Sequence, residues 1–232
     1  MQQNSLFSGE KGRIGTDESG KGDYFGPLVV AGIYLPQEQE PVLRELGVKD
    51  SKKFSDNRVR EIAEILKKGY KYSIVAIGPE RYNSLYEKLR NLNRLLAWAH
   101  ARVIENILQE IDCRQAITDQ FGDKLYVINA LMKLGKEIEL IQKTKAEEDM
   151  AVAAASILAR AEFLKRLYFL SQDIGLDLPK GASPMTEEAG AKLVRKHGEE
   201  ILNKVAKLHF KTTKKIIEGG TFPKGTPFPQ DK

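Results

Sequence analysis

Between Arg13 and Gln142 the apolar residues switch repeatedly between a period of two and a period near 3.6, and this alternation constrains the fold more than any other feature. Short β-rich runs at residues 13–16, 28–35, 72–77, 115–118 and 137–142 read as strands. Helical patterns lie between them. Residues 55–68 open on Ser55 and Asp56 and place Val59, Ile62, Ala63, Ile65 and Leu66 on one side. Residues 91–111 repeat Leu92, Leu95, Leu96, Ala99, Val103, Ile104, Ile107 and Leu108 at helical spacing, and 125–134 predict a shorter helix. After Glu147 the chain is almost wholly helical, at 146–170, 186–197 and 200–217, interrupted by a Gly/Pro-rich loop at 175–184. Strands alternating with helices and then helices alone predict an α/β domain: a mixed β-sheet flanked by helices, with a helical C-terminal extension.

A chain of 232 residues with 41% apolar and 30% charged residues is long and apolar enough for one sizeable core, which excludes a wholly disordered polymer. The expected division is a short N-terminal segment at 1–12, one catalytic domain at 13–217, and a Pro/Gly-rich tail at 218–232. The single cysteine, Cys113, excludes an intramolecular disulfide and a Cys-rich zinc site. Three histidines (His100, His197 and His209) form no H-E-x-x-H pair, so any metal would have to sit on carboxylates. A net charge of +5, from 37 basic and 32 acidic residues, leans mildly toward a polyanionic partner. No apolar run approaches the roughly 20 residues that span a bilayer, and the first twelve residues carry no stretch like a secretory signal. The expected setting is cytoplasmic, with no membrane partner.

The most informative stretch runs Gly15-Thr16-Asp17-Glu18-Ser19-Gly20-Lys21-Gly22-Asp23-Tyr24-Phe25-Gly26-Pro27. It nearly matches a phosphate-binding P-loop, which would make the protein an NTPase. Three physical objections stand against that reading. Gly22 occupies the position of the Mg²⁺-binding hydroxyl, and Asp17 and Glu18 would repel the phosphates the loop should cradle. The chain also leads on into a turn and a second strand, whereas a P-loop opens a helix. The alternative uses the acids. A strand ending in Asp-Glu can aim a carboxylate at Mg²⁺ or Mn²⁺ just beyond the sheet edge, and Gly20 and Gly22 let the backbone approach a ligand closely.

The run D-E-S-G-K-G-D-Y-F-G-P resembles the opening motif of the type 2 ribonucleases H, and specifically ribonuclease HIII. The similar ribonuclease HII usually carries an arginine where Lys21 stands. The resemblance continues through Lys49-Asp50-Ser51-Lys52-Lys53, Asn91-Leu92-Asn93, Thr118-Asp119-Gln120-Phe121-Gly122, Thr144-Lys145-Ala146-Glu147, residues 151–160 and residues 207–213. It spans roughly residues 13 to 216, and several independent motifs in order make it specific. It implies an RNase H-like fold, a monomer, and cleavage of the RNA strand in an RNA–DNA hybrid to 5′-phosphate and 3′-hydroxyl ends.

Members of that family hold two metal ions on four acids. Matched motif by motif, these fall on Asp17, Glu18, Asp119 and Asp149. Asp149 stands at a helix start, where an acid is also a common capping choice, and Glu147 and Glu148 are its neighbours. Two Mg²⁺ or Mn²⁺ ions roughly 4 Å apart suit phosphodiester hydrolysis without a histidine base. Selectivity for RNA requires sensing the 2′-hydroxyl, which the resemblance assigns to the backbone of Gly20, Lys21 and Gly22.

Lys49, Lys52 and Lys53 form a compact basic group able to meet phosphates, and Lys145 stands four residues before Asp149. Lys204, Lys207, Lys211, Lys214 and Lys215 suggest a second phosphate-facing surface. Trp98, Phe163, Tyr168 and Phe169 read as core. Ribonuclease HIII proteins commonly carry an N-terminal substrate-binding domain, and the twelve residues before Arg13 are too few for one. A non-catalytic hybrid-binding module is the reading from another class, and the full acid set argues against it.

Overall fold

The computed structural model describes residues 12–120, 122–132 and 134–219, with the side chains of all but Asp50 and Lys52. Most of the expected N-terminal segment and of the Pro/Gly-rich tail lies outside these residues, as does the Lys52 side chain.

Five strands form one mixed sheet: β1 (Gly12–Ser19), β2 (Leu28–Pro36), β3 (Tyr72–Ile77), β4 (Gln115–Asp119) and β5 (Glu139–Lys143), in the order β3-β2-β1-β4-β5. Strand β4 runs parallel to β1, with Ile14, Gly15 and Thr16 opposite Ala116, Ile117 and Thr118. It also runs parallel to β5, as far as Asp119 opposite Lys143. The helices among the described residues are α1 (Glu40–Glu45), α2 (Asp56–Gly69), α3 (Pro79–Leu89), α4 (Leu92–Leu108), α5 (Lys124–Ala130), α6 (Met150–Ile174), α7 (Pro184–His197), α8 (Ile201–Val205) and α9 (Lys211–Gly219).

Local chemistry sets their ends. Ser55 caps α2 by accepting the Arg58 amide at 3.3 Å, and Asn91 caps α4 by accepting the amides of Asn93 and Arg94. Asp123 does the same for α5 through the Leu125 amide.

The described chain divides into two compact units. One takes Val30–Val75 and Asn91–Ala161 together with β1 as far as Glu18; the other takes Ser19–Val29, Ala76–Arg90 and the chain from Glu162 onward. In the first unit, successive residues of β1 point to opposite faces of the sheet. Thr16 meets His100 of α4 on one face. On the other, a Cβ on Gly15 would overlap the backbone of Ala151 and Val152, so α6 lies directly against β1. The small residues 151–155 allow that approach and are fully buried. In the second unit α7 packs on α8 and α9, and α3 on α8.

Three expectations are corrected. The helix expected at 200–217 is broken between Val205 and Lys211, because Ala206 leaves the helix to bridge Phe25 as a strand partner. Lys207, expected on a phosphate-facing surface, is fully buried. Trp98, Tyr168 and Phe169 are 42%, 55% and 52% exposed, on outward faces of α4 and α6; only Phe163 of that group is core.

Candidate metal and nucleic-acid site

Strands β1 and β4 end together. Asp17 and Asp119 are each the residue after the paired Thr16 and Thr118, so the parallel register carries both acids to the same sheet edge. Glu18 follows Asp17 and, by strand alternation, turns to the α4 face. Asp17 therefore stands in a field of negative charge. Desolvation first, then the charges of Glu18, Asp119 and Glu147, push its carboxyl up to about 8, against the bond from the Glu18 amide.

Each of the other acids has a partner. Asp119 accepts the Ala146 amide at 3.3 Å, which ties the segment after β5 to the end of β4. Glu18 meets Nε2 of His100 at 3.3 Å. Nδ1 of the same fully buried ring lies 2.8 Å from the Thr16 hydroxyl and 3.3 Å from that of Thr118. With Nε2–H donating to Glu18, Nδ1 accepts the Thr16 hydroxyl, while the Thr118 hydroxyl beside it also donates to the Asp119 carbonyl at 3.4 Å. One imidazole thus links both acid-bearing strands to one of the acids. The sequence signal for it was weak: His100 sits at a core position of a helical pattern, and only the repeated Thr-Asp pairs at 16–17 and 118–119 hint at a shared partner.

Asp149 is held elsewhere. Its Oδ2 accepts Arg13 Nε at 2.7 Å, and its Oδ1 caps α6 through the amides of Ala151 and Val152. Arg13 also binds Glu40 at 2.6 Å. The third acid whose charge reaches Asp17 is Glu147, on the short 3₁₀ turn Ala146–Glu148. Among the described residues no three acid, imidazole or thiol groups stand in the close spacing of a formed metal cage.

The lysines are placed as follows. Lys49 and Lys53 are exposed on the 3₁₀ segment Val48–Lys53, which Arg160 of α6 holds by donating to the carbonyls of Ser51 and Phe54 while pairing with Asp56. Lys145 is exposed and left-handed, with φ 57°, immediately before the turn that carries Glu147. In the second unit, Gly20-Lys21-Gly22 forms a turn closed by the Asp23 amide on the Gly20 carbonyl at 3.3 Å, and the chain then enters β2. A strand follows where a P-loop requires a helix, so the NTPase reading falls.

Acids at the ends of adjacent strands of a mixed sheet flanked by helices define an RNase H-like fold. The family model for ribonuclease HII matches residues 14–213. Ribonuclease HIII of Protochlamydia amoebophila is 48% identical over 88% of this chain and 68% of its own length, and that of Chlamydia felis 42% identical over 90% and 71%. The crystal structure of Bst-RNase HIII in complex with Mn²⁺ superposes with a TM-score of 0.84 at 33% identity, over 95% of this chain and 74% of that one. Ribonuclease H3 of Aquifex aeolicus gives 0.70, also at 33%, over 84% and 71%. The chain belongs to the ribonuclease HIII family of RNase H enzymes.

Proposed function

We infer that the protein hydrolyses the RNA strand of RNA–DNA hybrids with Mg²⁺ or Mn²⁺, leaving 5′-phosphate and 3′-hydroxyl ends. The observation that carries this reading is the position of Asp17 among Glu18, Asp119 and Glu147, where its charged form is disfavoured until positive charge arrives. The donors are oxygens, the ligands that hard divalent ions prefer, and the similar Bst protein is described with Mn²⁺. Asp17, Glu18 and Asp119 would hold the ions. For the fourth place Glu147, whose charge reaches Asp17, stands beside Asp149, which accepts Arg13 and the first amides of α6.

Ions bound there would supply an activated water and stabilise the leaving 3′ oxygen. The remaining tasks belong to the chain. His100 orients Glu18. Exposed Gly22, one residue past Lys21, offers backbone to a ribose 2′-hydroxyl. Lys49, Lys53 and Lys145 offer charge to phosphates, and each contact made adds about −0.9 to the slope of log affinity against log salt on a duplex. Lys145 keeps a left-handed backbone, a conformation retained where the surroundings demand it, often at functional sites.

The test is incubation of labelled RNA–DNA hybrid with the protein and Mg²⁺ or Mn²⁺, with EDTA as control. Cleavage that requires the ion, and that Asp119→Asn abolishes while hybrid binding persists, supports the reading. An uncleaved hybrid overturns it, and equal binding by both proteins without cleavage makes the chain a binding module.

A further inference from the structure

Lys207 is among the largest fully buried side chains of the protein. Its ammonium donates to the main-chain carbonyls of Asp23 at 2.7 Å, Gly26 at 2.8 Å and Phe25 at 3.4 Å, and lies 5.8 Å from the centre of the Tyr82 ring. Burial lowers the Lys207 pKa to about 7, and in its protonated form the head carries three donors and no acceptor, which the three carbonyls satisfy. Filling this volume does not require a charge. Methionine would fit the same space at no desolvation penalty, but the three carbonyls would then be left as buried acceptors. What the ammonium adds is convergence: three peptide groups of one tight segment must turn their oxygens to a single point.

That segment follows directly on the Gly20–Gly22 turn. The Asp23 amide closes the turn on the Gly20 carbonyl, and the stretch after it is gripped from two further sides. Gly181 takes the Tyr24 amide and donates to the Asp23 carboxylate at 2.6 Å. Phe25 pairs with Ala206, flanked by Gly26 N–H to the Val205 carbonyl and Lys207 N–H to the Tyr24 carbonyl. The break between α8 and α9 is what brings Lys207 here.

We propose that Lys207 is a positioning residue for substrate recognition: from inside the fold its ammonium fixes the peptide planes of Asp23–Gly26 and thereby the backbone of Gly20-Lys21-Gly22 that meets the RNA strand. This rests on the hybrid-cleaving reading above for its substrate, and on the carbonyl cage alone for its geometry. Lys207 touches no substrate itself, so its loss should be felt in recognition of the hybrid and leave metal use intact.

The experiment compares the wild type with Lys207→Met and Lys207→Ala at a temperature where melting curves show each folded. The expected result is a rise of tenfold or more in KM for the hybrid, with the Mg²⁺ concentration for half-maximal rate unchanged. Propylammonium should restore cleavage by Lys207→Ala severalfold, and propanol, of similar size and neutral, should not. Wild-type KM in the folded variants, or equal rescue by amine and alcohol, overturns the proposal.

Amide hydrogen exchange at Gly20–Asp23 gives a readout that needs no activity. Faster exchange there in Lys207→Met, beyond the change elsewhere in the fold, supports the proposal, and unchanged exchange overturns it. Should neither variant fold, exchange is measured in Tyr82→Leu, which removes the ring beside the ammonium, with the same two outcomes. Wild-type protein that leaves the hybrid uncut sinks the proposed function, while the exchange result still decides Lys207.

Discussion

Gly20 and Gly22 stand two residues apart on one turn, yet a methyl group added to each meets different surroundings. At Gly20, φ is 86° and a Cβ would collide with the Pro27 carbonyl and the Phe163 ring. Gly20→Ala should therefore cost about 1–3 kcal/mol of stability through backbone strain alone, read from denaturant midpoints. Gly22 has no protein atom within 4 Å of such a Cβ. Gly22→Ala should leave the melting curve untouched and reduce hybrid cleavage by about a hundredfold, the penalty of displacing a bound group by an ångström. Full activity in Gly22→Ala would remove this turn from the substrate contact.

His100 makes the complementary case at the same scale. Its ring is wholly buried, so His100→Ala removes the partner of the Thr16 hydroxyl and one partner of Glu18. We expect about 2–3 kcal/mol of lost stability and weaker Mg²⁺ activation in the protein that remains folded; Mg²⁺ titrations matching the wild type would refute the link to Glu18. Residue types and motif order single out Asp17, Glu18 and Asp119 in the sequence, and the strand register sets Asp17 and Asp119 at the same sheet edge. The imidazole behind them was not legible there, because a histidine on an apolar helical face reads as core until two strands are known to lie beside it.

Among the elements, strands and long helices were readable because each buries one face at its own period. β3 runs from Tyr72 to Ile77, the bounds its pattern predicts, and α2 and α4 start one residue after their caps. The losses have physical causes. α1 and α3 each begin near a proline and bury few side chains, Leu43 in one and Pro79 and Tyr82 in the other, so neither shows an apolar stripe. The break at Ala206 comes from pairing with residue 25, which no local pattern encodes.

The start of α6 raises the same problem for the site. Glu147, Glu148 and Asp149 are consecutive acids, and only the fold shows that the charge of one reaches Asp17 while another serves Arg13. Two variants separate the roles. Glu147→Gln should sharply weaken Mg²⁺-dependent cleavage, since it removes a negative charge that reaches Asp17. Asp149→Asn keeps the cap oxygen but breaks a largely buried ion pair, 14% exposed on each side chain, and should lower stability by about 1–3 kcal/mol. If instead Asp149→Asn abolishes metal dependence while leaving the melting temperature alone, the assignment reverses.

For the molecule as a whole, the site makes folding, pH and metal a single problem. Asp17 has an ordinary carboxyl value of 3.8 when freely solvated and about 8 in the fold. Between these values the folded protein keeps a proton that the unfolded chain has released. Stability from this group is therefore fully present below pH 4 and is lost as the pH rises toward 8. A divalent ion bound there would reverse the sign of the local field, hold Asp17 ionised and displace that proton. Two outcomes follow. Without metal, the melting temperature should fall between pH 5 and pH 8 more in the wild type than in Asp17→Asn, which has nothing there to titrate. At saturating Mg²⁺ the stabilisation should exceed that at limiting Mg²⁺ by mass action, and at fixed Mg²⁺ it should be larger at pH 8 than at pH 5, because protons compete for the same carboxylate. Melting curves in the presence of EDTA or Mg²⁺ at the two pH values decide this. Identical Mg²⁺-induced shifts at pH 5 and pH 8 would mean that Asp17 is not a ligand, and with it would go the account of why the charges of Glu18, Asp119 and Glu147 reach Asp17.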